Sequence, residues 1–343
     1  MQTTPQPPQG ARLDPSPLVS LATAYWGSAT LIAAVRLKVF DHLATGPLTP
    51  EQLASDLNAS PVAVESLLIA LLSLDLVCRG EGERYSNAPL SQAFLVSGEP
   101  SSIAGALLYN ADVYPLWGQL HEVIERGDTS RDPQAYLGED EGKTRRFVYG
   151  MHHRALGVGR AVAAAIDLSG ATLLADIGGG PGTYSALLTA ATPGLSADVL
   201  DLPAVVGVAG EIVAQMGAAE RVRCVPYDYY RDPLPDRPYD AALISGVLHR
   251  EQPAKVRAMF TELAARLPRG GQVWLSDVML NDERTGPVFS AMFGLNMRVL
   301  AHDGRCHSVA ELSEWLESAG FEVTRVVNLP APIHYSVIGA RRR

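Results

Sequence analysis

The string Asp176-Ile-Gly-Gly-Gly-Pro-Gly-Thr-Tyr-Ser ends one apolar run and opens an amphipathic one, SALLTAAT. Glycines at 178, 180 and 182 tighten a turn and bring backbone within van der Waals reach of a ligand. A lone GxGxG is as often merely a turn, but Asp201 follows at the end of the next apolar run, 19 residues after Gly182. An acid there accepts hydrogen bonds from both ribose hydroxyls, so the pair points to an adenosine-containing ligand. A dinucleotide fingerprint wants a third glycine to pack helix on sheet, and that position is Thr183. His249 stands just after the run YDAALIS, where an imidazole with a pKa near 6.5 is suited to general-base work. A histidine at an arbitrary position is more often structural. Cys78, Cys224 and Cys306 are odd in number and lack CxxC or Cys/His zinc spacing, so neither a disulfide framework nor a metal site is expected.

These residues lie at the ends of short apolar runs, TLLADIG, SADVLDL, VRCVPYD, YDAALIS, GQVWLSDV, EVTRVV and YSVIGAR, with helical patterns alternating among them. That alternation predicts an α/β fold with a mostly parallel, doubly wound, Rossmann-like sheet, which binds ligands at the carboxyl ends of its strands near the topological switch point. A helix over about 144–165 precedes it.

From Pro17 to about Asp128 the pattern is helical. Leu18 to Val35 is apolar on nearly every turn, Thr49-Pro50-Glu51-Gln52 supplies an N-cap, a proline at N1 and Gln at N3, and Ser60-Pro61 repeats the cap. LVCRGEGERYSNAP then sets a glycine-rich turn between two extended runs, a hairpin. Helices followed by a hairpin are the order of a winged helix and raise DNA binding. The third helix, Pro61 to Leu74, carries no Lys or Arg and is apolar on most faces, so packing is favoured over phosphate contact, and dimerisation is the expected role.

The 343 residues are 47% hydrophobic with a net charge of -9, enough for about two domains and adverse to nucleic acid as main partner. The N-terminus has no apolar signal core, and no run reaches the roughly 18 uninterrupted apolar residues of a membrane span. The reading is a cytoplasmic protein without membrane partners: a disordered segment at 1–16, a winged-helix-like dimerisation domain with linker helices at 17–165, and a catalytic domain at 166–343.

The glycine string resembles the E/DxGxGxG first motif of class I S-adenosylmethionine-dependent methyltransferases. DLPAVV, the YDYY segment, ALISGVLHREQ and LPRGGQVWLSDVML match in order the landmarks of the small-molecule O-methyltransferases, the caffeic acid, acetylserotonin and polyketide types. VRLKVFDHLATGPLTPEQLA and LDLVCRGEGERYSNA extend the resemblance through the first half, so that it covers about Pro17 to Arg341. It implies S-adenosyl-L-methionine as cofactor, a homodimer, a hydroxylated aromatic or polyketide-like acceptor from secondary metabolism, and His249 as general base oriented by Asp277. Gly178 and Gly180 would shape the methionine end, Asp201 hold the ribose, Asp228 approach the adenine amine, and Leu202 and Tyr229 sandwich the ring. Ser245 stands where plant relatives place a lysine. FVYGMHHR resembles the family's FxxGM segment and implicates Phe147, Met151 and Arg154 in the acceptor pocket, which Met292 and Asn296 would close.

Three positions depart from the family pattern. Cys306 falls where a second carboxylate is expected, at the catalytic histidine's side, which also raises a reactive thiolate against inert packing. Arg250-Glu251 replaces the usual Asp-Trp, and Asn296 replaces Asp. Arg154, Arg250, Arg298 and Arg305 all map near the pocket, which motivates an anionic acceptor. Two alternatives stay open: methyl transfer to nitrogen, carbon or sulfur, or a divergent member using the cofactor structurally; and a non-enzymatic winged-helix regulator that senses a ligand.

Overall fold

The computed structural model describes residues 13–99, 101–127, 138, 140–301 and 303–343. Most of the segment expected to be a disordered lead-in, residues 1–12, lies outside them. The chain divides into two compact units after Leu108.

The first unit runs α1 (Ser16–Thr23), α2 (Tyr25–Arg36), α3 (Val39–Ala44), α4 (Pro50–Leu57), α5 (Pro61–Ser73), an antiparallel hairpin of β1 (Val77–Arg79) with β2 (Tyr85–Asn87), and α6 (Pro89–Phe94). Thr49 makes the expected capping box on α4: its hydroxyl accepts from Gln52 N at 3.3 Å and Gln52 Oε1 accepts from Thr49 N at 3.0 Å. Ser60 occupies the N-cap position of α5, but its side chain makes no capping bond, so the cap does not repeat and Pro61 alone opens the helix. The single apolar helix expected over Leu18 to Val35 breaks at Ala24 into α1 and α2. α5 buries one stripe, Val64, Leu68 and Leu71, in a core shared with Phe40, Leu53 and Tyr85. Its other face stays open, with Val62 74% exposed, and so do Leu18, Leu21 and Trp26 on α1 and α2. Apolar surface of this extent marks an interaction site. By length and average apolarity Ser16–Arg36 also meets the measure of a membrane span, which a search for uninterrupted runs passes over.

The division falls inside α7 (Ala104–Trp117), which α8 (Leu120–Arg126) follows. Asp140 accepts from Lys143 N at 3.0 Å and starts α9 (Glu141–Ala165) three residues ahead of the expected position. By contacts α9 belongs with the second unit, because it packs on two helices of the sheet, α10 (Thr183–Ala191) and α11 (Pro203–Gln215), whereas the sequence reading groups it with the first half. Gly159 lets it approach, since a Cβ there would lie 2.8 Å from Leu187 Cδ1.

The sheet contains β3 (Leu173–Ile177), β4 (Ser196–Asp201), β5 (Val222–Pro226), β6 (Ala241–Ser245), β7 (Gln272–Asp277), β8 (Phe321–Asn328) and β9 (Ser336–Arg342), in the order β5-β4-β3-β6-β7-β9-β8. The first five in that order are parallel; β9 is antiparallel to both neighbours. Side chains alternate between two cores. Leu173, Ala175 and Ile177 join α12 (Pro253–Arg266) and α14 (Val309–Ser318), whereas Leu174 joins α9 and α10. Gly339 faces Trp274 across β9 and β7, where a Cβ would meet the indole at 2.5 Å. The chain leaves β3 toward β4 and β5 and returns to β6 on the other side, so the carboxyl ends of β3 and β6 flank the switch point.

Candidate active site

At the end of β3 the backbone turns through Gly178, Gly180 and Gly182, with φ of 64°, 54° and 72°, a region that L side chains rarely adopt. A Cβ at Gly178 would lie 2.6 Å from Val247 Cγ2, whereas one at Gly180 would meet nothing within 4 Å, leaving that backbone uncovered. Asp201, the last residue of β4, accepts from Gly180 N and Leu202 N, both at 2.7 Å. Each carboxylate oxygen keeps a further lone pair, enough for two hydroxyls. Burial holds its carboxyl above the usual range, opposed by the two backbone bonds. Asp176 lies beneath the loop, where burial pushes it up to about 7; Ser185 donates to its Oδ2 at 2.6 Å and Oδ1 has no partner among the described residues. An open glycine cradle, a carboxylate with spare acceptor sites and an orphaned acidic oxygen fit a nucleoside carrying an ammonium group.

The next wall comes from the loop after β5. Asp228 Oδ1 accepts from Tyr230 N at 2.9 Å and so closes its own turn. Tyr229 donates its hydroxyl to Glu251 Oε1 at 2.7 Å and Tyr230 donates to Glu251 Oε2. Glu251, part of the departure from the family pattern, is buried and anchors both phenols. Leu202, the residue before α11, packs partly buried among Val148, Val205 and Ile212. Ser245 ends β6 with its hydroxyl oxygen buried.

His249 sits in a single 3-10 turn, Leu248–Arg250, beyond β6. β6 and β7 run parallel with Ser245 beside Ser276, which brings the end of β7, Asp277, alongside that turn. His249 Nδ1 donates to Asp277 Oδ1 at 2.6 Å, and His249 N donates to Oδ2 at 3.3 Å. The carboxylate is buried and also accepts from Val278 N at 2.7 Å, which locks its orientation. With Nδ1 committed, Nε2 is the basic nitrogen. The turn itself is braced: Arg305 N donates to His249 O at 2.8 Å, and His307 Nε2 donates to the carbonyls of Leu248 and Glu251, both at 3.0 Å. Two acceptors on one nitrogen require the proton to be there, and burial holds His307 neutral by lowering its pKa.

Cys306 does not take the place of a second carboxylate. It is 2% exposed, packed with Val278, Phe293 and Met297, and burial together with the Asp277 charge pushes its thiol up to about 12. That corrects the expectation of a catalytic or reactive cysteine, because a thiol so placed stays protonated and apolar.

The acceptor residues expected on α9 share one face, Phe147, Met151 and Arg154 at i, i+4 and i+7. Phe147 meets Tyr109 edge-on at 5.6 Å. On α13 (Val288–Leu300), Met292 is exposed and Asn296 Oδ1 accepts from Trp117 Nε1 at 2.8 Å, so half of that amide is engaged. The sequence reading missed Phe293, which meets His249 edge-on at 4.9 Å and lies under the Arg154 guanidinium at 5.3 Å. It also missed Tyr335, which feels the charges of both Arg154 and Asp277. Phe289, Phe293 and Met297 form an i, i+4, i+8 stripe that could have flagged the first. No helix separates the last two apolar runs, a sign of an antiparallel return that could have flagged the second. Among the described residues no group of three or more His, Cys, Asp or Glu is placed to hold a metal ion.

Comparison with known proteins agrees with this geometry. Residues 128–322 match the family described as O-methyltransferase domain, and residues 19–97 match the O-methyltransferase dimerisation domain. The chain is 32% identical over 93% of its length to a 3-hydroxy-5-methyl-1-naphthoate 3-O-methyltransferase of Streptomyces sahachiroi, covering 92% of that protein. It is also 32% identical over 94% of its length to an N,N-dimethyltransferase of Streptomyces rimosus, covering 94% of it. The crystal structure of human N-acetylserotonin methyltransferase in complex with S-adenosylmethionine superposes with a TM-score of 0.86 at 28% identity, over 97% of this chain and 99% of that one. The chain belongs to the S-adenosylmethionine-dependent small-molecule O-methyltransferases.

Proposed function

We propose that this protein methylates a hydroxyl of a small aromatic or polyketide-like molecule of secondary metabolism, with His249 as general base. The 2.6 Å bond between His249 Nδ1 and buried Asp277, set beside the glycine cradle, carries the reading. Bound S-adenosylmethionine supplies an electrophilic methyl on its sulfonium sulfur. Gly178 and Gly180 would lie against its methionine end, Asp176 Oδ1 would accept from its ammonium, Asp201 from the ribose hydroxyls, and Leu202 and Tyr229 would flank the adenine, with Asp228 near its amine; Ser245, at the end of β6, would stand beside them. His249 Nε2 takes the proton of the acceptor hydroxyl as its oxygen bonds the methyl carbon and the sulfur–carbon bond breaks. Asp277 holds the imidazole tautomer and stabilises the imidazolium. Phe147, Met151 and Met292 supply an apolar wall for a flat ring, and Asn296 offers its remaining amide group. The relative that acts on a hydroxynaphthoate supports such an acceptor.

His249→Ala lowers the methyl-transfer step about 10²-fold to 10⁴-fold while S-adenosylhomocysteine affinity holds. A rate equal to wild type in single-turnover assays removes His249 from this role. A second reading, transfer to nitrogen, is favoured by the N,N-dimethyltransferase relative; labelled methyl followed into product separates the two. The exposed apolar faces of α1, α2 and α5, in the region of the matched dimerisation domain, support a homodimer, and α5, which carries Glu65 but no Lys or Arg, supports the absence of nucleic acid among the partners. A cytoplasmic biosynthetic enzyme is the corresponding placement.

A further inference from the structure

We propose that Arg154 makes the acceptor subsite one for an anionic aromatic, a hydroxyarene that also bears a carboxylate. This rests on His249 marking the transfer site, since the subsite is defined by its position relative to that residue.

Arg154 is half-buried on α9 with its guanidinium carbon 5.3 Å from the Phe293 centroid, and His249 meets the same ring edge-on at 4.9 Å. A fixed positive charge and a base therefore share one aromatic platform. Two phenols, Tyr335 and Tyr184, lie close enough to Arg154 to feel its charge. Both phenols are held protonated by burial, so neither neutralises it. Among the described residues no carboxylate pairs with Arg154, although ion pairs are formed by many other arginines of the chain. Of the other arginines near the site, Arg305 pairs with Glu311 at 2.8 Å, Arg298 is engaged, and the charge of Arg250 bears on Asp201, on the glycine-loop side.

A half-buried guanidinium without a counter-charge is an expensive arrangement to keep. Its five donors also exceed what one ring and two phenols can use. The planar fork matches a carboxylate in bidentate geometry, and Lys would not reproduce that match. A flat acceptor lying along Phe293, with its hydroxyl at His249 and its carboxylate at Arg154, satisfies both ends.

The test is calorimetric binding of hydroxybenzoic and hydroxynaphthoic acids, each beside its methyl ester, to the enzyme saturated with S-adenosylhomocysteine, together with methyl-transfer assays on the same pairs. The expected result is about 10-fold to 100-fold tighter binding of acid than ester. Arg154→Met brings the ratio toward one and Arg154→Lys retains part of it, with melting temperature and S-adenosylhomocysteine affinity measured beside each variant to confirm folding. Equal binding of acid and ester, no acid binding, or an Arg154→Met variant that loses S-adenosylhomocysteine affinity as much as acid affinity overturns the proposal; the last result would put the arginine on the cofactor's own carboxylate. Methyl transfer without acid preference leaves the reaction standing and removes the anion subsite. Acid preference abolished in Arg154→Met, with no transfer to oxygen, keeps the subsite and removes the reaction.

Discussion

The glycine-loop side of the site is built mainly from backbone between Asp176 and Leu202, whereas the histidine side collects side chains from α9, the turn after β6, the end of β7, α13 and the start of β9. On the first side two neighbouring parallel strands, one turn and one acid satisfy each other: pairing of β3 with β4 brings Asp201 to the backbone of Gly180, and Asp201 also bonds its own neighbour Leu202. On the second side nearly every contact spans tens of residues, and each residue is placed by another that the local sequence does not mention. A cofactor common to many enzymes suits the first construction, and an acceptor particular to one enzyme suits the second, because side chains can change there without disturbing a backbone frame.

That contrast is sharpest where a single atom changes on the histidine side. Asp277→Asn keeps the shape but offers an amide where Nδ1–H needs an acceptor with fixed charge. Turnover falls about 10²-fold to 10³-fold with little change in S-adenosylhomocysteine affinity. Near-normal turnover in steady-state assays would mean that the 2.6 Å pair only holds the turn in place.

On the glycine side the matching change is Gly180→Ala. A Cβ there meets nothing in the chain, so stability falls only by the strain of a positive φ, about 1–2 kcal/mol. On the proposed placement of the cofactor over this loop, S-adenosylhomocysteine affinity falls about 10-fold or more. If calorimetry shows intact affinity alongside the stability loss, the cradle does not contact the cofactor.

A change of similar size, without consequence for the reaction, is expected on pH, where α9 meets the glycine loop. His152 Nδ1 lies 2.8 Å from Thr183 Oγ1, at the first turn of α10, and burial brings the His152 pKa down to about 4 from the ordinary 6.5. Between those values the unfolded chain binds a proton that the folded chain refuses, so stability falls as pH falls through that window. Asp176 acts with the opposite sign: its folded pKa of about 7 against 3.8 gives stability present below 3.8 and lost as pH rises through 7. Only the difference between wild type and His152→Gln isolates the histidine. Denaturant unfolding at pH 7 and at pH 4.5 should shift that difference toward the variant by about 2 kcal/mol. Parallel profiles for the two proteins would place the pH sensitivity elsewhere.

Much of this was legible from local pattern. The alternation of runs predicted the doubly wound sheet, the Asp176 to Gly182 string predicted the glycine turn at the end of β3, and the Thr49 capping box predicted the start of α4. Other readings stopped at the limit of local information. Ser60 has the residue type of a cap without the bond, since a cap depends on a side-chain rotamer as well as on sequence position. Cys306 stands at an acid's position in the family pattern, but its chemistry follows from the apolar residues around it. Glu251 looked like a loss relative to that pattern, and only the loop after β5 shows it holding Tyr229 and Tyr230.

What the sequence by itself determined is therefore everything that depends on neighbours within a turn or a strand: element types, glycine positions, the acid after β4 and the histidine after β6. What tertiary structure alone decided is the company those residues keep. Inserting β9 antiparallel between β7 and β8 starts that strand beside Asp277 and delivers Tyr335 next to the carboxylate. Setting α9 against α13 lays Arg154 on Phe293. The physical reason is that periodicity, capping and backbone strain act over a few residues, whereas burial, charge pairing and ring contacts act through space and exist only once distant segments have met.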